Sequence, residues 1–71
     1  MKTTLDDLAS NPWKFMENTV VITANKEVHY ARDSADAYNS ADRSGSEIIA
    51  EDYNVCSRDD VRDLIRSANN D

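Results

Sequence analysis

The chain has few of the residues that mark several common protein classes. Of its 71 residues, one is cysteine, one is proline and one is glycine. Cys56 has no partner for the disulfide framework of a small secreted domain, and the low glycine and proline content excludes collagen-like, proline-rich and linker sequences. No apolar run approaches the roughly 20 residues of a membrane-spanning helix, and Asp6 and Asp7 stand where a signal peptide has its apolar run. We therefore expect a cytoplasmic protein.

Groups that carry catalysis are also scarce. His29 is the only histidine, and it lies far from Cys56 in the sequence. Neither residue has the neighbours of a Ser-His-Asp or Cys-His site, and the two cannot supply the four ligands of a zinc site. Asp59, Asp60 and Asp63 lack the alternating spacing and the glycine of a calcium loop. We expect a protein that is not an enzyme and that holds no metal or other cofactor.

The apolar residues suffice for one small core. Hydrophobic residues make up 39% of the chain, and they include one tryptophan, one phenylalanine and three tyrosines. A disordered sequence has fewer large apolar groups. A chain of this length buries only about 60% of the surface that its unfolded form exposes. We expect a single domain over residues 1–71 whose stability is on the order of a few kcal/mol.

The N-terminal region has the pattern of a short, interrupted helix. Thr4 and Asp7 are spaced as in a capping box. Leu5 and Leu8 then fall on one side of a helix. Pro12 is expected to kink or restart the helix, because proline lacks the backbone donor that a helix interior needs.

The next segment is typical of a β-hairpin. Residues 19–24 are mostly β-branched, and residues 27–31 alternate between apolar and polar side chains. A two-residue turn at positions 25–26 places Val21 opposite Tyr30 on one face of the hairpin. Lysine is a poor second residue in such a turn, so the register is left open by one residue.

The C-terminal half is expected to supply the helices that cover the hairpin. Residues 33–46 predict a short helix with Ser34 as its N-cap and Gly45 at its end. Residues 47–55 fit a helix or a strand, and we favour a helix. Residues 57–68 form the clearest amphipathic helix. The expected fold is α+β, with an N-terminal helix, a β-hairpin, and C-terminal helices packed on one sheet face. The expected core is Leu5, Leu8, Phe15, Val21, Ile22, Tyr30, Ile49, Val61, Leu64 and Ile65.

The net negative charge of the chain comes entirely from its C-terminal half. Residues 1–32 hold four acidic and four basic side chains, whereas residues 33–71 hold ten acidic side chains and four arginines, which accounts for the net charge of −6. Such a field repels phosphate backbones and attracts basic surfaces, although a solvated, solubilising surface has the same composition. The candidate partner-binding residues are Asp36, Asp42, Glu47, Glu51, Asp52, Asp59, Asp60 and Asp63. Of these, Asp59, Asp60 and Asp63 are expected to share one face of the last helix.

Part of this half resembles a DNA-binding motif. Residues 49–64 are similar to the helix-turn-helix of bacterial repressors, which implies a DNA-binding regulator that uses residues 48–68. In this resemblance Arg58 and Arg62 would contact DNA, while the acidic residues of the same helix would oppose binding. The residues that carry the resemblance are Ala50, Val55, Val61 and Leu64.

The chain as a whole resembles a second class of protein. Its short length, acidity and lack of catalytic groups are similar to those of the anti-defence proteins encoded by phages and mobile elements, the anti-CRISPR and antirestriction proteins. The resemblance is one of type and not of motif. It implies an inhibitor that occupies the site of a basic, nucleic-acid-handling protein. The inhibitor itself would contact neither nucleic acid nor a membrane. A third interpretation is an adaptor or antitoxin-like module that uses the apolar edge of the hairpin.

Overall fold

A central β-strand with helices on both sides organises the chain. The computed structural model describes residues 2–70. The elements are α1 (Leu5–Ser10), a 3₁₀ turn (Pro12–Phe15), β1 (Thr19–Thr23), β2 (Val28–Ala31), α2 (Ser34–Arg43), β3 (Ile48–Asp52) and α3 (Arg58–Asn69). Strand β1 lies between β2 and β3 in an antiparallel sheet with the order β2-β1-β3. Helix α2 follows β2 and packs on one face of the sheet, and α1 and α3 contact each other on the other face.

Strand β1 is buried along its whole length. Both of its edges are paired and both of its faces are covered, so all five of its residues are shielded from water. Thr19 and Thr23 are the polar members of this strand. The Thr19 hydroxyl donates to the Tyr53 carbonyl at 2.6 Å, and the Thr23 hydroxyl donates to the Asn25 side chain. The hydroxyls therefore do not carry the cost of an unsatisfied buried polar group.

The expectation that the helices cover one sheet face is wrong, because the sheet separates two cores. The larger core lies between the sheet and the α1–α3 side, and the smaller one lies under α2. Ala37 and Ala41 give α2 a small apolar surface that reaches the sheet at Val21. The ten expected core residues all belong to these cores, with Leu5, Tyr30, Ile49 and Ile65 half-buried. The buried residues of the larger core are Leu8, Phe15, Val20, Ile22, Val28, Ala50, Val55, Val61, Leu64 and Ala68.

The hairpin is confirmed, but its register is shifted by one residue from the expected pairing. Val21 pairs with His29, and Val20 pairs with Tyr30. The turn is longer than expected: the Lys26 amide donates to the Thr23 carbonyl at 2.8 Å, and the Thr23 amide donates to the Glu27 carbonyl at 3.1 Å. Lys26 adopts a positive φ of 66°, as in three-residue loops that end in a left-handed residue. Tyr30 consequently faces the larger core, where its ring meets Phe15 edge-on at 4.6 Å.

Residues 48–52 form strand β3, so the helix favoured for residues 47–55 is wrong. β3 pairs with the edge of β1 that β2 leaves open, with an irregularity where Thr23 follows Ile22. The backbone hydrogen bonds offered by that edge decide between two conformations that the local pattern allows equally. The helix-turn-helix resemblance loses its first helix for the same reason, because Ala50 lies in this strand.

The helix ends confirm most of the expected signals. Thr4 and Asp7 form the capping box of α1, and a 3₁₀ turn begins at Pro12. Asp33, one residue before the expected Ser34, caps α2 by accepting from the Ala35 amide. Ser57 caps α3, and Gly45 has the expected positive φ, at 75°. The α+β class and the order of an N-terminal helix, a hairpin and a C-terminal helix are therefore confirmed.

Shortening a buried side chain of α3 should test this packing. Leu64 is 4% exposed within the larger core, so Leu64→Ala should lower the free energy of unfolding by about 2–5 kcal/mol. Ile65→Ala, at a half-buried neighbour, should cost less. Urea unfolding followed by circular dichroism measures both values. Equal losses for the two variants would contradict the orientation of α3.

The backbone at Glu17 provides a second test. Glu17 has a φ of 66°, and its amide donates to the Val55 carbonyl at 2.7 Å. Its side chain makes only an exposed ion pair with Arg32. Glu17→Gly and Glu17→Ala both remove that pair, so their difference isolates the backbone. The glycine variant should be more stable than the alanine variant by about 0.5–1 kcal/mol, because a Cβ is unfavourable at positive φ. An alanine variant of equal or greater stability would contradict the strained backbone.

Candidate functional site

Four of the eight candidate acidic residues meet on one side of the molecule. They are the last two residues of β3 and two residues from the first half of α3, and they line a shallow hollow of about 110 Å³ whose floor includes Leu64. β3 and α3 are in contact, so a strand end and a helix flank come together. We call this surface the acidic face; it consists of Glu51, Asp52, Asp60 and Asp63.

The other four candidates lie elsewhere. Asp36 and Asp42 are exposed on α2, and Glu47 is exposed just before β3. Asp59 lies one helical turn before Asp63 but does not line the hollow, and its carboxylate is 3.9 Å from the Arg62 guanidinium. Helical spacing alone did not separate it from the other two, since Asp59 falls near the boundary between the acidic and basic flanks of α3.

Two members of the acidic face also shape the loop between β3 and α3. Asp52 accepts a hydrogen bond from the Asn54 amide at 3.0 Å, and Asp60 accepts one from the Cys56 amide at 2.8 Å. These bonds fix the chain as it leaves the strand and enters the helix. Asp60 also lies in the first turn of α3, where the helix dipole stabilises a carboxylate. The positions of both carboxylates are thus set by the fold.

No basic side chain among residues 2–70 lies within ion-pair distance of the acidic face. The ion pairs in this part of the chain join Lys2 to Glu27, Arg32 to Glu17, and Arg62 to Asp59. None of them includes a carboxylate of the acidic face. The four groups are also not arranged as a metal site, since no three His, Cys, Asp or Glu side chains of the described residues are placed to hold an ion. Their charge is therefore available to a basic side chain of another protein.

Two tyrosines border the acidic face, and sequence reasoning missed both. The Tyr38 hydroxyl donates to the Glu51 carboxylate at 2.5 Å, and the rings of Tyr38 and Tyr53 lie 5.8 Å apart. Tyr53 is 67% exposed. An exposed aromatic ring beside carboxylates offers cation–π contact as well as ion pairing. The only signal in the sequence was the position of Tyr53 directly after Glu51 and Asp52.

The single histidine and the single cysteine lie apart in the fold. The His29 Nδ1 atom is 2.9 Å from the Ser40 hydroxyl, and its Nε2 atom is buried without a hydrogen-bond partner in residues 2–70. Cys56 is an exposed free thiol near Asn54. These two residues lie on different parts of the fold, one on β2 under α2 and one in the loop before α3. No helix within the described range is both long and apolar enough to cross a bilayer.

Comparison of the chain with protein-family models, with curated proteins and with solved structures finds no match.

The Tyr38–Glu51 contact predicts a change of stability at high pH. Burial raises the pKa of the Tyr38 hydroxyl above its ordinary value of 10.0, and the hydrogen bond to Glu51 raises it further. Since the folded state favours the protonated tyrosine, this contribution to stability is complete below pH 10 and is lost as the pH rises above it. The free energy of unfolding should therefore fall more steeply above pH 10 in the parent chain than in Tyr38→Phe. Urea unfolding between pH 8 and pH 11 measures this, and parallel curves would contradict it.

Proposed function

We propose that the protein binds a basic surface of another protein through the acidic face, and that this surface is one that handles nucleic acid. The placement of four acidic residues of β3 and α3 around one hollow, with no ion pair to any of them among residues 2–70, carries the proposal. The net charge of −6 gives the whole molecule the same sign. A field of this sign speeds encounter with a basic partner and aligns it.

The chemistry of the face favours arginine or lysine as its ligands. Glu51 and Asp63 are exposed, so they are accessible to a partner side chain. A guanidinium group binds a carboxylate through two parallel hydrogen bonds and also stacks on aromatic rings. Tyr53 lies beside Glu51 in the fold and supplies such a ring. Surfaces that bind nucleic acid are rich in these basic side chains.

Inhibition follows from occupation of such a surface. A protein that covers a phosphate-binding groove with its own carboxylates excludes the nucleic acid from it, as DNA mimicry requires. This is the mode of action implied by the resemblance to anti-CRISPR and antirestriction proteins, and it needs no catalytic group. We therefore propose an inhibitor of a nucleic-acid-handling protein and not an enzyme.

The structure makes two alternatives less suitable. The helix-turn-helix interpretation requires a helix where β3 lies. The adaptor interpretation requires a free hairpin edge, and the N-terminal segment covers the start of that edge: the Val28 amide on β2 donates to the Thr3 carbonyl at 2.9 Å, and Thr4 bridges to Glu27. β3 is the other edge strand of the sheet, and Glu51 and Asp52 lie on it. Charged residues on an edge strand also oppose pairing with another copy.

Capture of partners with matched charge variants tests the proposal. The test variant is Glu51→Gln, Asp52→Asn and Asp63→Asn, which removes three charges from the acidic face while amide oxygens keep the acceptor at position 52. The control is Asp6→Asn, Asp36→Asn and Asp42→Asn, which removes the same charge from exposed sites on α1 and α2. A captured partner should lose affinity for the test variant about tenfold or more, and for the control much less.

Salt dependence and competition measured with the captured partner identify the kind of surface to which the protein binds. Its binding should weaken steeply with salt and should compete with the partner's nucleic acid. A partner that binds the test variant as well as the parent chain, and that does so at about 0.5 M salt where charges are screened over a few Å, would overturn the charge mechanism. Simultaneous binding of nucleic acid would overturn the inhibitory role.

A further inference from the structure

A second surface of opposite character lies on the other flank of α3. A groove of about 380 Å³ runs between the α1–3₁₀ segment and α3. Pro12, Trp13 and Ile65 supply apolar parts of its lining, and Arg58 and Arg62 supply the cationic part. The acidic face uses Asp60 and Asp63 of the same helix, so α3 separates the two surfaces.

Trp13 is the largest apolar group that the fold leaves uncovered in this groove. Its side chain is 61% exposed, although Pro12 and Phe15 on either side of it in the 3₁₀ turn are buried. The burial of these two residues holds the turn in place, as does the hydrogen bond from the Lys14 amide to the Asn11 carbonyl at 3.1 Å. The indole is therefore presented by a fixed backbone, and exposed aromatic groups of this kind commonly anchor an interface.

Arg58 and Arg62 make few stabilising interactions with the rest of the described chain. Arg58 is the first residue of α3 and makes no ion pair within residues 2–70. A positive charge at a helix N-terminus is opposed by the helix dipole. Arg62 has only the exposed contact with Asp59 at 3.9 Å, and such a pair contributes little to stability. Because they are four residues apart, both guanidinium groups lie on the same side of the helix.

We propose that this groove binds an acidic peptide segment of another protein that carries one large apolar side chain. The apolar side chain would enter between Trp13 and Ile65, and carboxylates one helical turn apart on the segment would pair with Arg58 and Arg62. Charge complementarity selects this occupant. A nucleic acid also bears negative charge, but its extended phosphate backbone would be repelled by the acidic face and the net charge of −6. A short segment with two carboxylates avoids most of that repulsion.

Selection from a displayed library of random twelve-residue peptides tests the proposal. The full chain is the target, and the variant Arg58→Gln, Arg62→Gln is the matched counter-target. The control is Arg43→Gln, Arg66→Gln, since it removes the same charge from exposed positions that do not line the groove.

Enriched peptides should share one apolar residue flanked by Asp or Glu. Labelled peptides from the selection should bind the groove variant and Trp13→Ala about tenfold or more weakly in fluorescence anisotropy, and bind the control within about threefold.

Trp13 also reports the location of binding, because it is the only tryptophan in the chain. Its emission should change when an enriched unlabelled peptide is added to the parent chain. Three results would overturn the proposal: no enrichment relative to the counter-target, enrichment of basic peptides, or a Trp13 emission change with a single-stranded oligonucleotide but not with the acidic peptides. A Trp13 signal that changes with protein concentration alone would instead assign the groove to a second copy of the chain. Loss of the acidic face by the triple substitution should leave peptide binding intact, so this test is independent of the proposed function.

Discussion

The pairing of β1 on both of its edges is the constraint on which the rest of the structure depends. The five consecutive β-branched residues of β1 favour a strand, and all five are buried because both faces of the strand are covered and both of its edges are hydrogen-bonded. β2 supplies one edge and β3 the other. The chain must therefore return across the sheet between these strands, and α2 makes that connection while covering Val21.

The position of the acidic face follows from that arrangement. Because β3 occupies the outer edge beside β1, its C-terminal residues Glu51 and Asp52 lie at the border of the sheet. The short loop after Asp52 then brings the first turns of α3 back beside the strand, and the hydrogen bonds of Asp52 and Asp60 to that loop hold the turn in place. The acidic face therefore combines Asp52 and Asp60, which hydrogen-bond to the loop, with Glu51 and Asp63, which are exposed to solvent.

Helix α3 divides the surface by charge. Its buried stripe of Val61, Leu64 and Ala68 fixes its rotation against the sheet, and the acidic and basic residues then fall on opposite flanks. If α3 packed with a different rotation about its axis, acidic and basic side chains would share the same surface. The apolar contacts of α3 consequently determine the electrostatic character of two separate surfaces, although none of the charged residues is itself part of the core.

The sequence by itself determined the features that depend on local chemistry. The capping box at Thr4, the break at Pro12, the hairpin, the left-handed Gly45 and the amphipathic α3 are each set by neighbouring side chains. The sequence alone also shows that the net negative charge comes from residues 33–71. Tertiary structure alone decided the conformation of residues 48–52, because the local pattern fits a strand or a helix and the pairing with β1 selects the strand. It also decided which acidic residues share a surface, since Glu51 and Asp63 line one hollow only through contact of a strand with a helix, and this contact is not encoded in the local sequence pattern.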